Sequence, residues 1–262
     1  MRILTWNVHG LVGADGRRDP ERVARVIADA RADLVGLQEV GAQLVDGDAG
    51  DPATVLGALT GLESAFGPTI RRGRWTYGNA ILSRHPIEAT RSYDLSVSGR
   101  EPRGCLRADL AAGAARIHFF AAHLGLDRGE RRRQAAQLLS ADILRDAALA
   151  HPLVLVGDFN AWSNRSAVPR WLRRQLLDCA AAAGSEGATF PAAFPFLRLD
   201  RAYVDGAFEV TGCEVVRSRL ARAASDHLPV IVEATVRPSA PRPPAARPLQ
   251  AAGVVTTLRT QG

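Results

Sequence analysis

The sequence contains no lysine: its 33 basic residues are all arginine, set against 27 acids for a net charge of +6. That uniform choice reads as compositional bias rather than selection for phosphate binding. The charge is also unevenly spread. Residues 237 to 262 hold Arg237, Arg242, Arg247 and Arg259 and no acid, so removing these four leaves only +2 on the rest of the chain. A nearly balanced remainder argues against a strongly basic nucleic-acid face. Cysteine is scarce: Cys105, Cys179 and Cys213 are odd in number, widely spaced and without CxxC grouping. They suggest neither a disulfide framework nor a zinc site, and are expected to be buried thiols. No apolar run approaches the roughly 20 residues needed to cross a bilayer, and the chain enters a strand-like segment at once, without a charged leader and cleavage site. A cytoplasmic location without stable membrane insertion is therefore expected.

Hydrophobic residues make up 47% of the chain, ample for a core in one large α/β domain or two small ones. Arg2 to Val8 alternates and is rich in strand formers, then meets a glycine loop. Asp19 followed by Pro20 starts a helix whose stripe is Val23, Val26, Ile27 and Ala30. "ADLVGLQEV", Ala32 to Val40, is a second strand. From Ser64 to Phe120 short strand-like runs punctuated by Gly and Pro predict antiparallel neighbours. A helical pattern spans Arg128 to Ala150, "PLVLVGDF" returns to a strand, and a helix is expected near Ala167 to Leu177. Three further strand candidates follow: "RLDRAYV", "GCEVVRS" and "LPVIVEATV". The composition from Arg237 onward predicts a disordered tail over 237–262 behind a single folded unit, 1–236. Two packed sheets with outer helices fit this order best, since several strands read as buried on both faces.

Polar residues recur where apolar strands end: Asn7, Glu39, His123, Asp158 with Asn160, Asp200, and Asp226 with His227. Singly, each has a structural explanation. Asn7 can cap a turn, Glu39 can be a loop acid, His123 a satisfied core histidine, Asp158 an Asx turn and Asp226 a cap. Jointly, the order Asn, Glu, His, Asp-x-Asn, Asp, Asp-His at strand ends is hard to produce for structural reasons alone.

With the segments "TWNVHG", "LVGLQEV", "YGNAILSR", "AAHLGL", "LVGDFN", "LRLDRAYV" and "SDHLPV", the chain resembles the endonuclease/exonuclease/phosphatase superfamily, which includes DNase I, abasic-site endonucleases, neutral sphingomyelinases and inositol-polyphosphate 5-phosphatases. The resemblance runs from Thr5 to Val230. It implies a four-layer α/β sandwich, two packed mainly antiparallel/mixed β-sheets flanked by helices, and hydrolysis of a phosphate ester assisted by Mg²⁺ or Mn²⁺. It further implies Glu39 as the metal carboxylate, with Asn7 and Asp226 sharing in coordination, and Asp158 orienting or deprotonating water. Asn160 would hold phosphate or nucleophile. Asp200 and His227 resemble the family's paired acid and imidazole, and His123 a second histidine that protonates the leaving group.

Tyr77 and Asn79 lie where family members place a phosphate-contacting tyrosine or an acid that partners the first histidine; here that acid is absent. Arg103 and Arg107 flank a strand before His123 and are candidates for binding substrate phosphate, against a solvated strand edge. Trp75, Trp162 and Trp171 are candidates for a substrate groove or for core packing. "HGLVG" after the first motif, Val40 after "QE" and the retained His123 depart from the abasic-site branch, and the chain looks instead like short bacterial members. The expected partner is a phosphate-ester substrate, either nucleic acid or a lipid or small diester, with phosphomonoester hydrolysis or a non-catalytic binding role as alternatives. No obligate protein partner is evident, and a monomer is expected.

Overall fold

The computed structural model describes residues 1–43, 51–113, 115–149, 152–185 and 187–237. The expected tail beyond residue 237 lies outside the described residues. Strand β1 (Arg2–Asn7) leads into helix α1 (Pro20–Ala30), where Asp19 caps the first turn by accepting from the Arg22 amide at 2.8 Å and Pro20 opens the helix. Its Val23, Val26, Ile27 and Ala30 are buried, as the stripe predicts. The chain then enters β2 (Leu34–Gln43), parallel to β1.

One six-stranded sheet adds β3 (Glu63–Arg72), β4 (Trp75–Ser83), β11 (Phe208–Val215) and β12 (Val230–Val236), in the order β11-β12-β1-β2-β4-β3. The other runs β5 (Ile87–Asp94), β6 (Gly104–Ala112), β7 (Ala115–His123), β8 (Leu153–Asp158), β10 (Asp200–Val204) and β9 (Leu177–Asp178). Among the named strands each sheet holds one parallel pair, β1 with β2 and β7 with β8; the other pairings are antiparallel. Parallel neighbours need a crossover, supplied by α1 in one sheet and α3 (Arg128–Leu138) in the other.

Period-two alternation sorts the apolar side chains into three layers. Ile3, Leu34, Phe119, Val154, Val156 and Ala202 pack between the sheets. Leu4, Trp6, Val35 and Leu37 face α1, α2 (Pro52–Thr60) and α6 (Arg219–Ala224). Phe120, Leu153, Leu155 and Tyr203 face α3 and α4 (Ala167–Leu172). The result is the expected four-layer sandwich of two mixed sheets between helices.

Three details differ from expectation. The helix expected over 128–150 stops at Leu138, because Ser140 Oγ accepts from the Asp142 amide at 3.2 Å and competes with the next helical turn. The helix expected over 167–177 likewise ends at Leu172. Cys105 and Cys179 are buried free thiols, but Cys213 lies on the edge strand β11 and is only half-buried. No helix among the described residues is long and apolar enough to cross a membrane.

Candidate active site

The alternation that builds the core also aims the polar strand ends. Asp158 continues the inward series Val154 and Val156, His123 continues Phe119 and Ala121, and Asp200 precedes the inward Ala202 and Val204. These three are neighbours in register, His123 beside Asp158 and Asp158 beside Asp200. Asn7 follows Ile3 and Thr5 to the same end of the facing sheet. Gly157 lets β8 run this close to β7: a Cβ there would lie 2.0 Å from the Ala122 carbonyl oxygen. Gly157→Ala is therefore expected to cost about 1–3 kcal/mol, read as a lower denaturation midpoint with the slope unchanged; an unchanged midpoint would contradict the packing.

Glu39 reaches the same place by a different device. By strict alternation it would face the helices with Leu37. Instead the register shifts between Leu37 and Val40, and Glu39 takes a φ of 58°. This bulge brings its carboxylate to the cleft, while the buried Gln38 bonds back to Thr5 and Gly36.

Asn7 Nδ2 donates to Glu39 Oε1 and to Asp158 Oδ2, both at 3.0 Å, and its Oδ1 accepts from the His9 amide at 3.0 Å. Asp158 Oδ1 accepts from the Asn160 amide at 2.8 Å. Around Asp158 Oδ2 stand His123 Nε2 at 3.6 Å and His227 Nε2 at 3.8 Å. His227 Nδ1 lies 2.8 Å from Asp200 Oδ2, and Ser225 Oγ ties the turn down by donating to the Asn7 carbonyl at 2.7 Å. These groups converge on a cleft of ≈ 450 Å³ lined by Glu39, Tyr77, Arg103, His123, Asp158, Asn160, Asp226 and His227, with Leu126, Trp162 and Phe190 on its apolar side. Asn7 and Asp200, each 1% exposed, brace that wall from behind.

Asn160 does not continue an extended chain, as its spacing from Asp158 suggests. Its φ is 48°, and its Nδ2 donates to the Leu124 carbonyl at 2.9 Å and sits 3.3 Å from His123 Nε2. The Asx turn at Asp158 and the cleft site are thus one arrangement. Asn79 donates to the Gly104 carbonyl at 2.8 Å and lines a neighbouring cleft instead. Arg107 is also placed elsewhere: it pairs in register with Phe120 on the outer face of its sheet and makes a two-point bond with Asp109 at 2.7 and 2.8 Å. Tyr77 lines the cleft with Glu39, and burial together with that carboxylate pushes the pKa of its hydroxyl up. Of the tryptophans only Trp162 lines the cleft; Trp75 is exposed, and Trp171 packs under Arg132. Sequence reasoning missed Glu101 and His9 on the cleft wall, although His9 lies within the quoted "TWNVHG".

Burial sets the charges of the site. It drives the His123 imidazole down to about 3, helped by Arg103, whose Nη1 lies 3.5 Å from Nδ1. Burial also opposes the charged form of His227, but Asp200 outweighs it and raises that imidazole to about 10. The two histidines of one cleft therefore carry opposite protonation at neutral pH. Asp158 is pushed up to about 6 by burial and by the charge of Asp200. Burial works against the Glu39 carboxylate too, yet His123, His227 and hydrogen bonds from Tyr77 and Asn7 hold it below the usual range. With His123 neutral, the hydrogen bonds and His227 are the part that acts at neutral pH.

A model of the family described as "Endonuclease/Exonuclease/phosphatase family" matches residues 4–227. The chain belongs to this family. The uncharacterized protein YbhP of Escherichia coli strain K12 is 34% identical over 250 residues, covering 88% of this chain and 95% of YbhP. An endonuclease/exonuclease/phosphatase from Beutenbergia cavernae shares the fold at a TM-score of 0.75 and 26% identity, over 90% of this chain and 72% of that one. A mannosyl-6-phosphatase of Bacteroides thetaiotaomicron (TM-score 0.73, 19% identity, 90% and 99% covered) and D. rerio TDP2 complexed with a single-strand DNA product (0.69, 18%, 90% and 99%) show the fold alone. Members of the endonuclease/exonuclease/phosphatase family are hydrolases, and the buried carboxylates and imidazoles described above belong to a hydrolase fold.

Proposed function

We propose that this family member is a divalent-metal-dependent phosphodiesterase, with residues 1–236 as the catalytic unit. The observation that carries the reading is Asp158, a buried carboxylate on the cleft wall raised to about 6 and positioned by Asn7, Asn160 and two imidazoles. A carboxylate with a pKa just below neutrality is both ionised and basic enough to take a proton from water. His227, kept positive by Asp200, faces the same space and is the cation that a phosphoryl oxygen meets.

Asp158, Asp200 and His227 offer ligand atoms within 4.8 Å of one another. A protonated His227 has no lone pair for an ion, however, so the oxygen donors of Glu39 and Asp226, with Asn7 bonded to Glu39, fit a hard cation better. Bound there, Mg²⁺ or Mn²⁺ supplies neutralisation of the non-bridging phosphate oxygens. Tyr77 lines the cleft with Glu39 and would orient its carboxylate; Tyr77→Phe is expected to raise the metal concentration for half-maximal rate about tenfold. An unchanged metal titration would remove Glu39 as ligand or Tyr77 as its support.

His123 is assigned to hydrogen bonding rather than to protonating the leaving group. Burial, and Arg103 against Nδ1, keep the ring neutral although Glu39 and Asp158 lie 3.8 and 3.6 Å from Nε2, and a neutral imidazole is too weak an acid to protonate a leaving group at neutral pH. The cleft wall carries Glu39, Glu101, Asp158 and Asp226 against Arg103 and His227, a balance that suits a singly charged diester better than a doubly charged monoester. Metal-stripped protein supplied with Mg²⁺ and assayed on matched chromogenic diester and monoester tests this: the diester is expected to turn over faster. Faster monoester turnover would favour a phosphatase.

A further inference from the structure

Among the described residues the four most exposed large apolar side chains are Phe194 (80%), Leu126 (72%), Trp162 (71%) and Phe196 (67%). They are not scattered. Leu126 and Trp162 line the cleft, and Phe194 and Phe196 sit on the loop whose legs, Phe190 and Leu197, also line it. These apolar tips are braced. Arg131 donates to the carbonyls of Gly125 and Leu126, and Arg222 donates to those of Ala192 and Ala193. The Ala192 amide donates to the Asp226 carbonyl at 2.6 Å and the Phe196 amide to the Phe190 carbonyl at 3.0 Å. Exposed apolar side chains gathered around one cleft and braced through their backbone mark an interaction surface.

A nucleic-acid strand needs cations along its path. Here Arg131 and Arg222 are engaged with backbone carbonyls, Arg103 pairs with Glu101 at 2.6 Å, and the cleft wall is acidic. Indole, phenyl and leucine side chains around a polar cavity match instead the interfacial layer of a bilayer, where aromatic rings settle at headgroup level. We infer that this rim seats the cleft on a phospholipid surface, so that the substrate is a lipid whose phosphodiester lies among the headgroups. The chemistry rests on the phosphodiesterase reading above; the docking is measured separately.

The test uses the full chain and the double variant Phe194→Ser/Phe196→Ser, neither residue lining the cleft. Both proteins are sedimented with vesicles of phosphatidylcholine and phosphatidylethanolamine, titrated with a single-stranded oligonucleotide, and passed through gel filtration. Both are also assayed with Mg²⁺ on the vesicles and on a soluble chromogenic diester. Wild type is expected to bind vesicles and to hydrolyse the lipid diester: water oxygen bonds to phosphorus, one P–O ester bond breaks, and a phosphomonoester and an alcohol are the products. The variant is expected to bind about tenfold more weakly or worse, with matching loss of lipid turnover and an unchanged soluble-diester rate. Wild type that cuts the soluble diester but ignores vesicles overturns the docking inference and leaves the phosphodiesterase reading standing. A variant defective only in oligonucleotide binding, or only in self-association, overturns it in favour of base stacking or a contact between copies. Vesicle binding with no diester cut at all removes the substrate assignment together with the reading it rests on.

Discussion

Asp158→Asn is expected to lower kcat by about 10³-fold or more while the protein stays folded. The carboxylate is a buried base on the cleft wall raised toward working pH, and general-base removal costs on the order of 10²–10⁴-fold. Loss of the charge that Asp158 places beside His227 leaves the metal carboxylates untouched. Structurally the exchange is mild. The amide oxygen still accepts from the Asn160 amide, the contact to Asn7 Nδ2 is lost, and the repulsion between two buried acids disappears. One lost hydrogen bond is worth about 1 kcal/mol, and relief of the repulsion offsets it. The expected thermal midpoint therefore lies within a few degrees of wild type. A folded variant with retained turnover would remove Asp158 as the base.

Asp200→Asn is expected to move both limbs of the pH–rate profile toward acid. His227 sits above its ordinary value because Asp200 outweighs burial, so its positive charge and the stability it lends persist below pH 6.5 and are lost only as pH rises through about 10. Without the Asp200 charge, burial acts unopposed by its strongest partner, and the imidazole releases its proton at lower pH. The alkaline limb should retreat by about one pH unit or more. Asp158 loses the like charge that raises it, so the acid limb should fall as well. Measurement of kcat/KM across the pH range checks both signs. An alkaline limb that stays in place, in a variant still folded, would show that His227 does not act as a cation.

Much of this arrangement was legible in the sequence because strands and caps write short-range signals. Asp19-Pro20 announced α1, and apolar runs ending at Asn7, His123 and Asp158 announced strands that deliver polar groups to one end. The same cap grammar, Asp51-Pro52 with Gly61 closing, marks α2, which went unread. Glu39 was named through resemblance, but alternation alone points it at the helices; the bulge that turns it is set by β4, a partner the local sequence does not display. Arg107 shows the converse. Its distance along the chain from His123 fits a site role, yet its register with Phe120 puts it on the opposite face, whereas Arg103, just before β6, reaches the His123 ring. Opposite protonation of the two histidines is likewise a property of neighbours brought from other strands.

The most direct measurement is turnover of a chromogenic phosphodiester by metal-stripped protein, before and after Mg²⁺ or Mn²⁺ is restored, with Asp158→Asn in parallel. Hydrolysis that is absent without metal, returns with it and is missing in the variant is the predicted result. Hydrolysis that proceeds without metal, or no hydrolysis of any diester with either ion, would contradict a metal-dependent phosphodiesterase built on Asp158.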